Sequence, residues 1–317
     1  MKALIFETAG DYREVLKLKE IQEPEMGDHE VRIKVKARPV NPSDLMFIKG
    51  RYRRKPQFPQ IAGLEGSGVI SETGAQVRHF KAGDHVAFRA PGTWAEEVVV
   101  NENDLIKIGR DLPFEVSAQL PLNGITAQAV LMEASLTKGD VLLINAANSS
   151  LAGLIIQLAA AKGIRVFALV RDLKNEQEIK ELGAEQVLAQ DDPQLNEILA
   201  QALGEIRFNA FIDSVGGGIV TRVLPYMAQY GTIVACGNMS AGKTAAIGND
   251  QLIYKNLTIK GFGIDRWLSL NNYETIHQFY EGLVEDLYTG RLRFRKTAVV
   301  TLEISNFDLG DKVIIVS

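Results

Sequence analysis

The sequence predicts a two-domain α/β protein, in which a mainly β domain precedes a doubly wound sheet of six parallel strands. The first third of the chain is rich in short segments that alternate apolar and polar residues, such as EVRIKVKARPV, as half-buried strands do. Between residues 139 and 262, strand-like and helix-like segments alternate, which is typical of βαβ units. With 317 residues, the chain is also too long for one ordinary hydrophobic core.

The mainly β domain is predicted over residues 1–115. Its other strand-like segments, GLEGSGVISETG, GDHVAFRA and WAEEVVV, are bounded by turn-forming residues and predict a twisted, partly open barrel. A helical, apolar stretch follows, and we place the second domain at residues 116–262. After a helix in NNYETIHQFYEGLVEDLYTG, the β-like segments FRKTAVVTL and KVIIVS predict that residues 263–317 rejoin the first domain.

The second domain is predicted to contain six strands and four intervening helices. The strands are placed at Val141–Asn145, Arg165–Val170, Gln186–Leu188, Ala210–Val215, Gly231–Cys236 and Leu257–Phe262. The helices are placed at Leu151–Lys162, Lys174–Leu182, Gln194–Leu203 and Ile219–Met227. Because crossovers between parallel strands are right-handed, a ligand is expected at the carboxyl ends of these strands.

Composition excludes several classes of function. A net charge of -4 provides no broad basic surface for nucleic acid. No apolar run reaches the about 18 residues that cross a bilayer, and MKALIFETAGDYREVLKLKE has charges where a secretory signal has an apolar core. The single cysteine, Cys236, excludes an internal disulfide framework. We therefore expect a cytoplasmic protein that binds neither nucleic acid nor a membrane.

The turn after the first strand of the second domain predicts a dinucleotide site. It runs from Ala146 through small residues into the helix, so backbone N–H groups are accessible to a pyrophosphate. Asn148 and Ser149 can add side-chain hydrogen bonds to phosphate oxygens. Because the usual glycines are missing, an ordinary turn without a ligand is the alternative interpretation.

The end of the next strand favours NADP(H) over NAD(H). Sites for NAD usually place an acidic residue at this position, but ALVRD places Arg171 first, with Lys174 close behind. A guanidinium binds a 2′-phosphate through paired, charge-assisted hydrogen bonds. Asp172 argues against this assignment, because its carboxylate would repel the phosphate if it pointed inward. The alternative role for Arg171 is that of a solvated charge at the start of a helix.

Motifs in a fixed order over nearly the whole chain resemble those of a known family. They are NPSDLMFIKGRY, AGLEGSGVI, NGITAQAVLMEASLTKGD, NAANSSLAGLIIQLAAAKG, VRDLKN, ELGAEQVL, DSVGGG, GTIVACGNMS and KGFGIDRW. Together they resemble the medium-chain dehydrogenase/reductase superfamily, in its zinc-free branch of quinone oxidoreductases and 2-enoyl thioester reductases. The resemblance implies a GroES-like catalytic domain, a Rossmann domain that binds NADP(H), and a homodimer formed through the sixth strand, whose segment NLTIKGF has suitable β-branched and apolar content.

Residue types argue against a zinc site. A tetrahedral zinc requires thiolate or imidazole ligands at defined spacing. Alcohol dehydrogenases of the superfamily have a histidine where this chain has Leu64, and the four histidines and one cysteine of the chain are scattered. We therefore predict no metal ligands. An NAD-linked alcohol dehydrogenase, which requires a bound metal, is a rival interpretation.

Without a metal, hydride transfer requires an acceptor that is already electron-poor, such as a quinone, an enone or an enoyl thioester. By the resemblance, Tyr52 in KGRY matches a proposed proton donor, and Asn41 would orient the substrate or the nicotinamide. A loop tyrosine that caps a pocket is the alternative. The flanking run RYRRK is either solvated or attracts the phosphates of a coenzyme A or carrier-protein thioester. The family usually has proline where this chain has Arg53.

The resemblance also assigns cofactor contacts along the second domain and the tail. Besides Asn148, Ser149, Arg171 and Lys174, they are Asn123, Thr126, Ser150, Leu151, Gly237, Asn238, Met239, Phe262 and Lys312. Trp267 resembles a tryptophan of the enoyl-reductase branch, with a buried interface aromatic as the alternative. The tail lacks a short helix that relatives have before the last strand. The sequence thus predicts an NADPH-dependent oxidoreductase with a small-molecule substrate. The alternative is a catalytically weak NADPH-binding protein, either a redox sensor or a crystallin-like protein.

Overall fold

The chain forms two compact units in a computed structural model, which describes residues 1–240, 244–295, 297–303 and 313–317. Unit 1 comprises Met1–Leu122, Tyr280–Val284 and Arg295–Ser317, and unit 2 comprises Asn123–Phe279 and Glu285–Phe294. Compared with the predicted bounds of 115 and 262, unit 1 extends further, and residues 263–279 pack with unit 2. Trp267 in this stretch packs against Phe279, which also belongs to unit 2.

The strands of unit 1 come from both ends of the chain. They are β1 (Lys2–Phe6), β2 (Lys17–Glu20), β3 (Glu30–Val40), β4 (Gln60–Ile61), β5 (Glu65–Thr73), β6 (His85–Arg89), β7 (Glu97–Asn101), β8 (Leu105–Ile108), β15 (Ala298–Thr301) and β16 (Val313–Val316). In the described residues they form one sheet of order β15-β16-β3-β5-β6-β8, in which β7 also pairs with β3, and a second sheet of order β2-β1-β4.

The long strand β3 shows why the alternating pattern predicted a half-buried strand. Val31, Ile33 and Val35 point into the core, whereas Lys34 and Lys36 are exposed. The inward residues pack with apolar side chains of β5, β6 and β7. A second cluster surrounds the fully buried Trp94 and includes residues of β1 and β16. Val313 and Ile315 of β16 therefore belong to the same core as the first strand of the chain.

Unit 2 is built on parallel strands. They are β9 (Val141–Ile144), β10 (Arg165–Val170), β11 (Gln186–Ala189), β12 (Phe208–Asp213), β13 (Met227–Ala235) and β14 (Thr258–Gly261). Their order, β11-β10-β9-β12-β13-β14, is that of a doubly wound dinucleotide-binding sheet. The predicted fold class is therefore confirmed. The strand order reverses between β9 and β12, and ligands of such sheets bind beyond the carboxyl ends of the strands at this point.

The helices lie between the strands. They are α1 (Tyr12–Val15), α2 (Pro42–Ile48), α3 (Phe114–Ser117), α4 (Ile125–Glu133), α5 (Ser150–Ala161), α6 (Glu176–Glu181), α7 (Leu195–Leu203), α8 (Gly218–Val223), α9 (Asn249–Lys255), α10 (Ile264–Leu270) and α11 (Tyr273–Tyr288). The helix predicted at Ile219–Met227 ends at Val223 and continues as a 3-10 turn, because Pro225 lacks the N–H that an α-helix requires. In the described ranges, no helix is both long and apolar enough to cross a membrane.

Candidate cofactor and substrate sites

The turn between β9 and α5 leaves its backbone accessible to an anion. Ala146 takes a positive φ of 50°, and the Ala147 N–H donates to Leu169 O at 3.1 Å, which fixes the turn to β10. Ser149 caps α5 by accepting the Ala152 N–H at 3.1 Å, so its own hydroxyl proton stays available to a ligand. The first N–H groups of a helix have no partner within it. Those of α5 therefore suit a phosphate.

A buried polar pair organises the neighbouring strand ends. Asn145 follows the last residue of β9, and Asp213 is the last residue of β12. Both side chains are almost completely buried. The Asn145 amide donates to the Asp213 carboxylate and accepts the Ser214 N–H at 2.7 Å. The same carboxylate oxygen accepts the N–H groups of Val215 and Gly216 at 3.0 and 2.8 Å. Asp213 thereby fixes the turn that faces the phosphate turn across the switch point of the sheet.

The turn after β13 packs closely against the turn after β12. Cys236 and Gly237 donate their N–H groups to Asp213 O at 2.8 and 3.3 Å. A Cβ on Gly237 would lie 2.4 Å from Ser214 O, so only glycine fits without a shift of the backbone. Asn238 and Met239 follow on the exposed side, and the Met239 side chain is 62% exposed. Both remain predicted cofactor contacts.

Replacing Gly237 by alanine is expected to lower the free energy of unfolding by about 1–3 kcal/mol, because the added methyl group overlaps a backbone carbonyl. Gly218→Ala is the matched control, since a Cβ there would meet no heavy atom within 4 Å. Chemical denaturation of both variants measures the difference. Equal stability of the two variants would contradict the close approach of Gly237 to Ser214 O.

The residues predicted to choose between the two cofactors lie in the exposed turn after β10. Arg171, Asp172 and Lys174 are all exposed. The Asp172 carboxylate accepts the Lys174 N–H at 3.1 Å, so it participates in its own turn. Asn175 donates to the Asn148 side chain at 3.0 Å, which ties this turn to the phosphate turn. The two predicted phosphate-binding segments are thus adjacent.

The remaining predicted cofactor contacts are spread over other elements. Asn123 lies in a π-helical turn and Thr126 on α4, and both are partly buried. Phe262 follows β14 and donates its N–H to Ala235 O at 2.8 Å. Trp267 is buried against Phe279, with ring centroids 6.0 Å apart, which favours a packing role. Lys312 and the tail segment that was predicted to lack a helix lie outside the described residues.

In unit 1, Asn41 belongs to a buried hydrogen-bonded group. Its Nδ2 donates to Glu65 Oε1 at 2.6 Å, and Glu65 Oε2 accepts the Leu122 N–H at 2.8 Å. Asn41 is 5% exposed and Glu65 is fully buried. The Glu65 carboxylate therefore fixes both the Asn41 amide and the backbone of the residue that precedes Asn123. Sequence reasoning did not identify Glu65 as a positioning residue.

Asp44 is a second buried carboxyl beside this group. It accepts the Asn41 N–H at 2.8 Å, and its Oδ1 has no hydrogen-bond partner among the described residues. Burial, together with the charge of Glu65, raises the pKa of the Asp44 carboxyl to about 8 from an ordinary 3.8. The folded protein thus retains a proton on Asp44 that the unfolded chain releases.

Because the folded pKa of Asp44 is raised, its contribution to stability is complete below the ordinary pKa of 3.8 and is lost as the pH rises towards about 8. Asp44→Asn is expected to flatten this decline in the free energy of unfolding, since an amide carries no titrating proton and still offers an oxygen to the Asn41 N–H. Urea denaturation across this pH range measures it. Asp28→Asn, on an exposed residue, is the control and should keep the wild-type slope.

Tyr52 follows α2, which begins after Asn41. The helix ends at Lys49 and Gly50, where a φ of +66° reverses the chain, and the N–H groups of Arg51 and Tyr52 both donate to Met46 O, at 2.8 and 3.0 Å. Tyr52 is partly buried against the core around Trp94. At 1.5 Å per residue, the seven residues of α2 separate the two predicted catalytic residues by about 10 Å along its axis.

The position at which the resemblance places a zinc-binding histidine carries an apolar side chain. Leu64 occupies the position before Glu65, and both Glu65 oxygens accept hydrogen bonds from the protein. Among the described residues, no group of three His, Cys, Asp or Glu side chains could hold a metal ion. The donor set required for tetrahedral zinc is therefore missing from this part of the chain.

Family models and relatives match the two units. Residues 27–110 match the model of an alcohol dehydrogenase GroES-like domain, and residues 151–281 match that of a zinc-binding dehydrogenase. The chain is 31% identical over 310 residues to the mitochondrial enoyl-[acyl-carrier-protein] reductase of Bos taurus, covering 96% of this chain and 83% of that protein.

Solved structures agree over the whole chain. A Bacillus thuringiensis protein assigned as an NADPH:quinone reductase gives a TM-score of 0.90 at 26% identity, covering 100% of this chain and 98% of its own. The Escherichia coli quinone oxidoreductase complexed with NADPH gives 0.88 at 22% identity, covering 100% of both chains, which shows the fold alone.

Fold, strand order and relatives together define the class: the chain is a medium-chain dehydrogenase/reductase with GroES-like and Rossmann domains. Within that superfamily it belongs to the branch of the quinone oxidoreductases and enoyl thioester reductases, as the motifs predicted.

Proposed function

We propose that this protein is a zinc-independent, NADPH-dependent reductase that transfers hydride to an activated C=C bond of an enoyl thioester. The observation that carries the proposal is the anion cradle of unit 2, in which the phosphate turn before α5 is joined to the Arg171 turn by the bond between Asn148 and Asn175. The reductases named above support both the cofactor and the acceptor.

The residues present fit NADPH in three respects. The turn of small residues before α5 exposes helix N–H groups to the pyrophosphate. Gly237 leaves space beside Ser214 O where any side chain would intrude. Arg171 and Lys174 supply positive charge for the 2′-phosphate, and the carboxylate of Asp172 is engaged with the Lys174 N–H. When bound, NADPH supplies the hydride, and the predicted contacts of Asn123, Thr126 and Phe262 belong to its nicotinamide end.

The chain's own residues then position the substrate and supply a proton. Asn41, oriented by Glu65, presents a fixed amide. The Tyr52 hydroxyl, or a solvent molecule, donates the proton that the α carbon requires after hydride addition at the β carbon. Because the thioester carbonyl already withdraws electrons, no metal is needed to polarise it, which agrees with Leu64 at the position of a zinc-binding histidine.

A quinone is the second candidate acceptor, because the Bacillus thuringiensis protein carries that activity in its name. Steady-state oxidation of NADPH with crotonyl thioesters, enones and quinones, followed by product identification, tests the assignment. We expect saturated thioester as the main product. Tight NADPH binding without turnover of any acceptor would instead support a redox sensor or crystallin-like protein.

Replacing Arg171 by alanine is expected to raise the Kd for NADPH about tenfold and to leave the Kd for NADH unchanged, since a lost charge-assisted pair to the 2′-phosphate is worth about 1.4 kcal/mol or more. Isothermal titration calorimetry measures both constants. Lys162→Ala, at the opposite end of α5, is the control for a lost exposed charge. An unchanged cofactor preference would remove the basis of the NADPH assignment.

A homodimer and a cytoplasmic location complete the proposal. Among the described strands, β14 is at the edge of its sheet, and Ile259 on it is 38% exposed; Ile253 and Tyr254 of the preceding helix α9 are exposed as well. An apolar strand edge of this kind favours pairing with a second copy. Sedimentation equilibrium tests the dimer. The single cysteine suits a reducing compartment such as the cytoplasm, although the enoyl-[acyl-carrier-protein] reductase of Bos taurus is mitochondrial.

A further inference from the structure

The loop after α2 concentrates positive charge in an otherwise acidic protein. It carries Lys49, Arg51, Arg53, Arg54 and Lys55, and we call residues 49–55 the basic loop. No aspartate or glutamate occurs between residues 45 and 64, although the whole chain has a net charge of -4. All five basic side chains are exposed. Such a local excess produces a field that attracts multiply charged anions.

Most of this charge is not neutralised by the protein. Lys49 pairs with Asp11 at 3.6 Å, and Lys55 Nζ donates to Gly50 O at 2.9 Å. Arg51, Arg53 and Arg54 form no ion pair with any residue that the structure describes. Three guanidinium groups, each able to bind a phosphate in paired hydrogen bonds, are therefore available to a ligand.

The basic loop contains Tyr52 and is joined by α2 to Asn41, so it is close in the chain to both predicted catalytic residues. The N–H groups of Arg51 and Tyr52 donate to Met46 O, which fixes the start of the loop to α2, and α2 begins after Asn41. An apolar surface borders the charges, because the side chains of Met46 and Phe58 are 42% and 48% exposed. Phe58 is held edge-to-face against Phe6, with centroids 5.8 Å apart. A ligand with a thioester, an apolar arm and several phosphates matches this arrangement.

We propose that the basic loop binds the phosphates of a coenzyme A thioester, with Arg53 and Arg54 as the main contacts and Tyr52 between them and the reacting group. The proposal rests on the proposed function, because it names the form in which the enoyl substrate arrives. Coenzyme A is favoured over a carrier protein because it concentrates a diphosphate and a further phosphate in one small molecule, whereas a carrier arm has a single phosphodiester. The phosphates of NADPH have their own cradle in unit 2.

The experiment compares two thioesters and two matched variants of the full chain. Crotonyl-coenzyme A carries the phosphates, and crotonyl-pantetheine lacks them. For the double variant Arg53→Gln/Arg54→Gln, we expect KM for crotonyl-coenzyme A to rise about tenfold, which corresponds to about 1.4 kcal/mol. We expect kcat for that substrate, and both constants for crotonyl-pantetheine, to remain within about twofold of wild type, since neither arginine contacts the reacting atoms.

The control variant is Lys34→Gln/Lys36→Gln, which removes the same net charge from exposed positions of β3 and should leave every constant unchanged. Rising salt should weaken crotonyl-coenzyme A binding in wild type more than in the arginine variant. The proposal would be overturned if the arginine variant lost as much activity with crotonyl-pantetheine as with crotonyl-coenzyme A. It would also be overturned if a lower thermal midpoint accounted for the losses. In either case the arginines would only stabilise the negative carbonyl end of α2.

Two further outcomes separate the inference from the proposed function. Calorimetry with free coenzyme A and free pantetheine, in the absence of turnover, should show about tenfold tighter binding of coenzyme A by wild type only. If no thioester is reduced but this preference holds, the proposed function fails and the basic loop keeps its ligand. A crotonyl carrier protein that is preferred over crotonyl-coenzyme A, with the preference lost in the arginine variant, would overturn the choice of coenzyme A.

Discussion

Replacing Glu65 by glutamine is expected to lower kcat for thioester reduction about 100-fold, because small displacements of positioning groups cost this much in rate. The carboxylate accepts hydrogen bonds from Asn41 Nδ2 and from the Leu122 N–H. A glutamine amide has one oxygen, so its NH2 group must face one of these two donors. Either the Asn41 amide turns away or the Leu122 backbone shifts.

The same substitution is expected to lower the free energy of unfolding by about 1–3 kcal/mol, since one buried donor loses its partner. Glu72→Gln, on the same strand but exposed and paired with Arg32, is the control and should change neither quantity appreciably. The Kd for NADPH should stay near wild type, because the predicted phosphate contacts belong to unit 2. Wild-type turnover in Glu65→Gln would show that the orientation of Asn41 is not required.

The second large effect is expected at Asp213. Alanine in its place removes the acceptor of the Asn145 amide and of the Val215 and Gly216 N–H groups. We expect the free energy of unfolding to fall by about 3–5 kcal/mol, as when a buried charged partner is removed, together with a loss of NADPH affinity as the turn relaxes. Denaturation and calorimetry measure the two effects.

Two variants make the Asp213 result interpretable. Asp213→Asn retains an oxygen for the two backbone N–H groups and should recover part of both losses. Asp192→Ala removes a partly exposed carboxylate that accepts a local N–H, that of Gln194 at 2.8 Å, and should cost about 1 kcal/mol or less. If Asp213→Ala lowered the free energy of unfolding no more than Asp192→Ala does, burial of the Asp213 carboxylate would not increase its contribution to stability.

The sheet of unit 2 could be predicted because its signal is local. Continuous apolar runs such as VLLI and RVFALV are buried on both faces in a parallel sheet, and β10 has the bounds that the sequence indicated. The observed bounds differ from the predicted ones where tertiary packing decides them. β13 begins at Met227 instead of Gly231, and α9 and α10 were not predicted, because their short amphipathic patterns resemble those of loops.

The polar groups that support the sites could not be deduced in the same way. Asn145 follows β9 and Asp213 ends β12, where a polar residue after apolar ones is a usable signal, whereas Glu65 begins β5. Their partners, however, are separated from them by tens of residues: Asn145 bonds Asp213, and Glu65 bonds Asn41 and Leu122. Only the fold brings these residues together, so the sequence indicated candidate binding residues but not the groups that orient them.

The pairing of β16 with β3 has a consequence for how the protein is made. Val313 pairs with Val40, so β3 receives this neighbour only after all of unit 2 has been synthesised. The sheet of unit 2, whose strands β9 to β14 are consecutive and end at Gly261, can form on the ribosome before that. During this interval, part of one edge of β3 stays open to the addition of a strand from another chain. Slow synthesis of β16 or a shortage of chaperones should therefore increase aggregation of nascent chains more than aggregation of the folded protein.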